Sequence, residues 1–192
     1  MWSVDSCKSI IDCWGQKTIY SPNLERIDSK LLSGIAVDFK ADYERYYPNQ
    51  SRNLDEIKYF PGLLATFFYR ISRFLFLSDD EEQAREFSSV GFALSSMEIY
   101  FSSSIKSGLK INHGLGTIIG ARVEIGKNAL IHHNVTFGDK NGRRPKIGDE
   151  VTVYPGAIII GDVNIGDRSI IGANTTVLKS VPSGSRVSGI FK

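Results

Sequence analysis

The chain has 192 residues, a formal net charge of +2 and two cysteines. That length suits one or two small domains with a sizeable core, and so small a charge gives no electrostatic case for nucleic acid. The apolar run 59–77 carries Arg70, Arg73 and Pro61, so it is too short and too charged to span a bilayer, and with no apolar leader a cytoplasmic protein is the expectation.

Residues 1–21 show no firm period and admit one short helix over part of 4–14. Cys7 and Cys13 have no Cys or His partner at a zinc spacing and read as free thiols. After Ser21-Pro22, the spacing of Ile27, Leu31, Ile35, Phe39, Tyr43 and Tyr46 predicts a helix over 23–46, with Gly34 in its middle and Pro48 ending it. Asn53 is a candidate cap for a second helix from Leu54, with Asp55 and Glu56 in its first turn. Pro61-Gly62 breaks or restarts it. The stretch 63–77 is apolar on most faces, as expected of a helix buried or in a subunit contact. Ser78, followed by Asp79, Asp80, Glu81 and Glu82, reads as the start of a further helix to about Ser96, the acidic run being a solvated first turn rather than a metal site. After Met97 the pattern turns to strands. Ile99, Ile105, Ile111 and Thr117 extend backwards a column of small or β-branched residues that runs on down the chain.

From 119 to 181 the period is six. Ile119, Ile125, Ile131 and Phe137, then Ile147, Val153, Ile159, Ile165, Ile171 and Val177, form an aliphatic column. Four positions after each of them except Phe137 stand Val123, Ala129, Val135, Val151, Ala157, Val163, Ser169, Thr175 and Val181. Glycine follows six of the aliphatics, at 120, 126, 138, 148, 166 and 172. An ordinary sheet predicts period two and hairpin turns. Period six is a hexapeptide repeat, in which three hexads make one coil of a parallel β-helix and residues about 18 apart stack at roughly 4.8 Å. The expected organisation is therefore α+β, a helical region over 1–97 followed by a β-helix over 98–192 that ends in a short tail.

Three departures from the count mark candidate function. The insert 138–146 places Asp139, Lys140, Arg143, Arg144 and Lys146 on a Gly-containing loop, and loops pushed out of a regular scaffold often carry function. His113 stands where stepping back by six from Ile119 expects an aliphatic. His132 lies nearly one coil after His113, which makes them expected neighbours, whereas His132 and His133 point to opposite faces of one strand. Histidine is the common general base near neutral pH.

The run Glu98-Ile99, Gly108, Ile111-Asn112-His113, Gly116, Gly120, Val135-Thr136-Phe137-Gly138 and Arg143-Arg144-Pro145-Lys146-Ile147-Gly148 resembles the serine acetyltransferases, a family of hexapeptide-repeat acyltransferases. Tyr59, Gly62, Ala65 and Tyr69-Arg70 look like the end of that family's helical domain. The resemblance implies a left-handed β-helix, a homotrimer with pairing into hexamers left open, and acetyl-CoA as donor in a groove between subunits, with no metal. It implies His113 as the catalytic base and Glu98, fifteen positions earlier, as its carboxylate partner. Gly138, Gly156 and Ala173 are then the expected contacts to acetyl-CoA, and Arg143, Arg144, Asn112 and Tyr47 those to the acceptor. Departures bear on that acceptor. The family's Asp-Pro is here Tyr47-Pro48, the Asp before the base is Asn112, and the loop's Arg-His-Pro is Arg143-Arg144-Pro145. Two acidic partners for an amino group have become neutral, so a sugar hydroxyl competes with L-serine. A γ-type carbonic anhydrase would need three histidines on zinc, and here two of the three are adjacent and splayed. A non-catalytic scaffold is a further alternative, against which Glu98 and His113 argue.

Overall fold

The computed structural model describes residues 3–48 and 54–192 of the chain. Helix α1 (Val4–Gly15) is capped by Ser3, whose hydroxyl accepts from the Ser6 N–H, and it buries Cys7, Ile11 and Trp14 at helical spacing. The predicted helix over 23–46 starts late. Asn23 caps only a 3-10 turn, Leu24–Arg26, and the chain breaks at Ile27. Asp28 then accepts from the Leu31 N–H at 2.7 Å and starts α2 (Ser29–Glu44). Gly34 within it leaves the space that the Phe74 ring fills. Asn53 lies outside the described residues, and Leu54–Tyr59 is a 3-10 turn rather than an α-helix. Pro61 opens α3 (Pro61–Leu77), buried on nearly every face. Ser78 does not start the next helix: it closes α3, and Asp80 caps α4 (Glu81–Ser95) by accepting from the Gln83 N–H. Helix α3 packs against both α2 and α4.

Strands begin directly after Met97. The first coil carries β1 (Glu98–Ile99), β2 (Ser104–Ile105) and β3 (Lys110–Ile111), and the second β4 (Ile118–Ile119), β5 (Glu124–Ile125) and β6 (Leu130–Ile131), followed by β7 (Thr136–Gly138). All ladders between these strands are parallel, and each strand pairs with the strand three further on, which gives the three sheets of a β-helix. The aliphatic column is the register: Ile119 pairs with Phe137, Ile125 with Ile147, Ile131 with Val153 and Phe137 with Ile159.

Ile99, Ile105 and Ile111 do not belong to the small-residue column. They pair with Ile119, Ile125 and Ile131, 20 residues on, and so continue the aliphatic column to the first strand. The first coil is two residues longer than three hexads, and the addition falls between Ile111 and Ile119. His113 therefore does not replace a core aliphatic; it sits in an extended corner.

A β-helix must end somewhere, and its terminal strands present unpaired N–H and C=O groups. Here helices α2 and α3 cover that edge with side chains. The Tyr69 hydroxyl accepts from Ile105 N–H and donates to Ser103 O, both at 3.0 Å. Arg70 donates to Ile105 O at 2.6 Å and Lys106 O at 2.9 Å, while its guanidinium is paired with buried Asp42. Asp42 in turn accepts from Leu109 N–H at 2.7 Å. Each such group left buried and unmade would cost roughly 1–3 kcal/mol. The prism core reaches into the helices through Ala65 and Tyr69, so α3 closes the open end.

Candidate active site

The extended corner begins at Asn112, whose N–H donates to Ile131 O and whose C=O accepts from Gly114 N–H. His113 follows at φ 64°, in the left-handed region. Gly114 is also left-handed, and a Cβ there would collide with the Met97 sulfur, so the corner is pressed onto the residue before Glu98. Gly116 N–H donates to Ser96 O at 3.0 Å and fixes the far side. The His113 side chain is exposed.

The lengthened coil changes which histidine is the neighbour. His133, not His132, faces His113, with ring centroids 5.8 Å apart and planes inclined by 74°. His132 turns to the other face and stacks on Tyr154 at 5.1 Å and 17°. Burial, and then the charges of His133 and His113, hold the His132 imidazole below its ordinary pKa. The Nδ1 of His133 is buried, with no hydrogen-bond partner among the described residues. Thr117 steadies the segment by donating to His132 O at 2.9 Å and accepting from Val135 N–H.

Backbone bonds extend this edge down the prism. Gly156 N–H donates to His133 O, and Asn174 N–H donates to Pro155 O. Gly156 and Ala173 thus lie along the His113 edge in successive coils. Gly138 does not: it ends β7, pairs with Ile160, and opens the insert at the other edge of the same sheet.

The insert is a tight hairpin. Lys140 and Arg143 exchange N–H to O bonds of 3.1 Å around Asn141 and Gly142, both at positive φ. Asn-Gly is a sequence signal for this two-residue turn, and it is the one local signal in the insert that the hexad count obscures. Arg144 is tied inward, by an ion pair with Asp139 and a 2.9 Å bond from Nε to Ala121 O. Arg143 is exposed, and among the described residues its side chain has no partner.

Glu98 is half-buried and lines a cleft of about 180 Å³ with Arg85, Ser88 and Phe92 of α4 and Tyr100 beside it. Among the described residues no side-chain bond joins it to His113. Tyr47 stacks on Tyr43 at 5.0 Å, meets Phe60 edge-on and donates to Glu56 O, so the structure places it in the aromatic cluster of the helices. Asn112 is half-buried beside His113. Among the described residues no three His, Cys, Asp or Glu side chains are grouped to hold a metal, and no helix is long and apolar enough to cross a membrane.

The chain is similar to known proteins in sequence and in fold. The bacterial transferase hexapeptide (six repeats) family matches residues 144–179. A serine acetyltransferase of Staphylococcus aureus is 35% identical over 164 residues, spanning 83% of this chain and 76% of the relative. The crystal structure of Neisseria gonorrhoeae serine acetyltransferase in complex with serine superposes with a TM-score of 0.73 at 30% identity, over 86% of this chain and 72% of that one. The serine acetyltransferase of Brucella abortus in complex with coenzyme A gives 0.73 at 29% identity, over 86% and 70%.

Proposed function

The chain belongs to the serine acetyltransferase family, and from that footing we propose that it transfers acetyl from acetyl-CoA to the hydroxyl of L-serine, with His113 as general base. The observation that carries this reading is the His113 corner, an exposed imidazole set at positive φ in a two-residue extension of the hexad count. An alcohol is a poor nucleophile near neutral pH. His113 accepts the hydroxyl proton as the oxygen attacks the thioester carbonyl, a C–O bond forms and the C–S bond breaks. The proton passes to the departing sulfur, so the thiol leaves and the imidazole is neutral again. Glu98 follows directly after Met97, which underlies Gly114, and its charge favours the imidazolium formed during transfer. Gly156 and Ala173 offer a small-residue edge for the pantetheine arm.

We divide the chain into a helical cap over 1–97 and a β-helix over 98–192, and propose a homotrimer. Past Glu98 of β1, the sheet through β4 and β7 presents Ile118, Thr136, Ile158, Thr176 and Ile190 outward, an uncharged run. The His113 edge and the insert edge flank it, so packing through this face brings one copy's insert, with Arg143, to the next copy's base. A monomer by light scattering at micromolar concentration would count against it. Acetyl-CoA as donor fits a cytoplasmic enzyme.

A second reading takes a sugar hydroxyl as acceptor, favoured by neutral Asn112 beside the base. The test is thiol release from acetyl-CoA against serine, homoserine and nucleotide sugars. Release with serine supports the first reading; release with nucleotide sugars alone replaces it with the second. A purified protein that fails to bind acetyl-CoA is a scaffold.

A further inference from the structure

Two residues before His113, one side chain holds both free backbone groups of the edge strand. The Tyr46 hydroxyl donates to Ile111 O at 2.8 Å and accepts from Ile111 N–H at 2.7 Å. Lys110 closes the arrangement, bonding Arg45 O at 2.9 Å with its ammonium 5.4 Å from the centre of the Tyr46 ring. Arg45 donates to Gly108 O at 2.7 Å and Ala129 O at 3.1 Å, tying the same turn to two coils. From the other side α3 approaches so closely that a Cβ on Gly62 would stand 2.6 Å from Ile111 O and 3.0 Å from the Tyr46 hydroxyl. The strand that leads into the catalytic corner is thus clamped between α2 and α3.

We propose that Tyr46 is a positioning residue for His113, fixing the exit of β3 and so the direction in which the imidazole leaves the corner. The proposal rests on the reading of His113 as the base. A reacting geometry is intolerant of small displacements, and a shift near 1 Å can cost about a hundredfold in rate. The same edge supplies its own control. Tyr69 makes the equivalent pair of bonds to Ile105 N–H and Ser103 O, one hexad upstream and away from the corner. If the hydroxyls serve stability alone, both act alike.

The experiment compares Tyr46→Phe with Tyr69→Phe by thermal melting, by steady-state kinetics and by NMR of the imidazole Cε1–H signals. The chain has three histidines, so the spectrum is assignable with His113→Ala. Both variants should lose a few degrees of Tm. Tyr46→Phe should lower kcat by roughly tenfold or more with the KM for acetyl-CoA unchanged, and should shift or broaden the His113 signal. Tyr69→Phe should leave both near wild type. Equal kinetic losses in the two variants, or an unmoved His113 signal in Tyr46→Phe, overturn the proposal. The NMR arm decides it without turnover, whereas absence of thiol release from the wild-type protein overturns the functional reading instead.

Discussion

His113 and His133 meet edge to face, 5.8 Å between ring centroids, across the first long coil of the prism. His113 is the exposed member and His133 the half-buried one. His113→Ala should therefore lose turnover by about a hundredfold or more, while acetyl-CoA binding survives. Glu98→Gln should cost less, because no side-chain bond holds Glu98 to the imidazole and only its charge is removed. Thiol-release kinetics with calorimetric binding check both, and an active His113→Ala enzyme would shift the base to His133.

The two arginines of the insert are unlike. Arg144 is bonded to Asp139 in its own loop and to Ala121 O in the preceding coil, whereas Arg143 is exposed. Arg143→Ala should raise the acceptor KM with little change in kcat, as loss of a donor fork toward a carboxylate would. Arg144→Ala should loosen the hairpin and lower kcat as well. Acceptor kinetics untouched in both variants would remove the insert from the site.

His132 links pH to stability. Its folded pKa lies below the ordinary value of about 6.5, through burial and then the neighbouring charges of His133 and His113. As pH falls through that ordinary value, the unfolded chain takes up a proton that the folded chain resists, so stability is lost toward acid. Tm should fall between about pH 7 and pH 5, and His132→Gln should remove part of that fall. A variant with an unchanged pH profile of Tm would show that other groups carry it.

Cys7 lies at 0% exposure on the buried face of α1, and burial pushes its thiol up to about 11, while Cys13 is exposed. The thiolate is the reactive form. A thiol reagent should titrate one equivalent in the native protein and two in denaturant. Two fast equivalents under native conditions would mean that α1 opens readily.

The prism was legible because its period repeats. Every residue of the six-period column from Ile119 to Val177 is buried as the count requires. The count failed where a coil changed length. Stepping back by six crosses the two added residues at His113 unseen, so Ile99, Ile105 and Ile111 went to the wrong column and His132 was paired in place of His133. Helix starts were less legible, since Asn23 and Ser78 carry capping chemistry as good as that of Asp28 and Asp80, and tertiary packing decides among them. Tyr46 carried no signal at all: as part of a helical stripe it reads as core, and only the open edge of β3 gives its hydroxyl a task.

Both extensions, at His113 and at 139–142, fall where the chain turns between faces, and neither disturbs which residues point inward. Reactive segment and support are therefore separable. Removing 139–142 would return Phe137 and Ile147 to a spacing of six and leave an unbroken stack without the hairpin turn, Arg143 and Arg144 then following Gly138 directly. Adding hexads in threes would lengthen the rod by about 4.8 Å each time while the His113 corner stayed at the capped end. The chain behaves as a ruler with tools mounted at its corners, and the tools can be exchanged without recalibrating it.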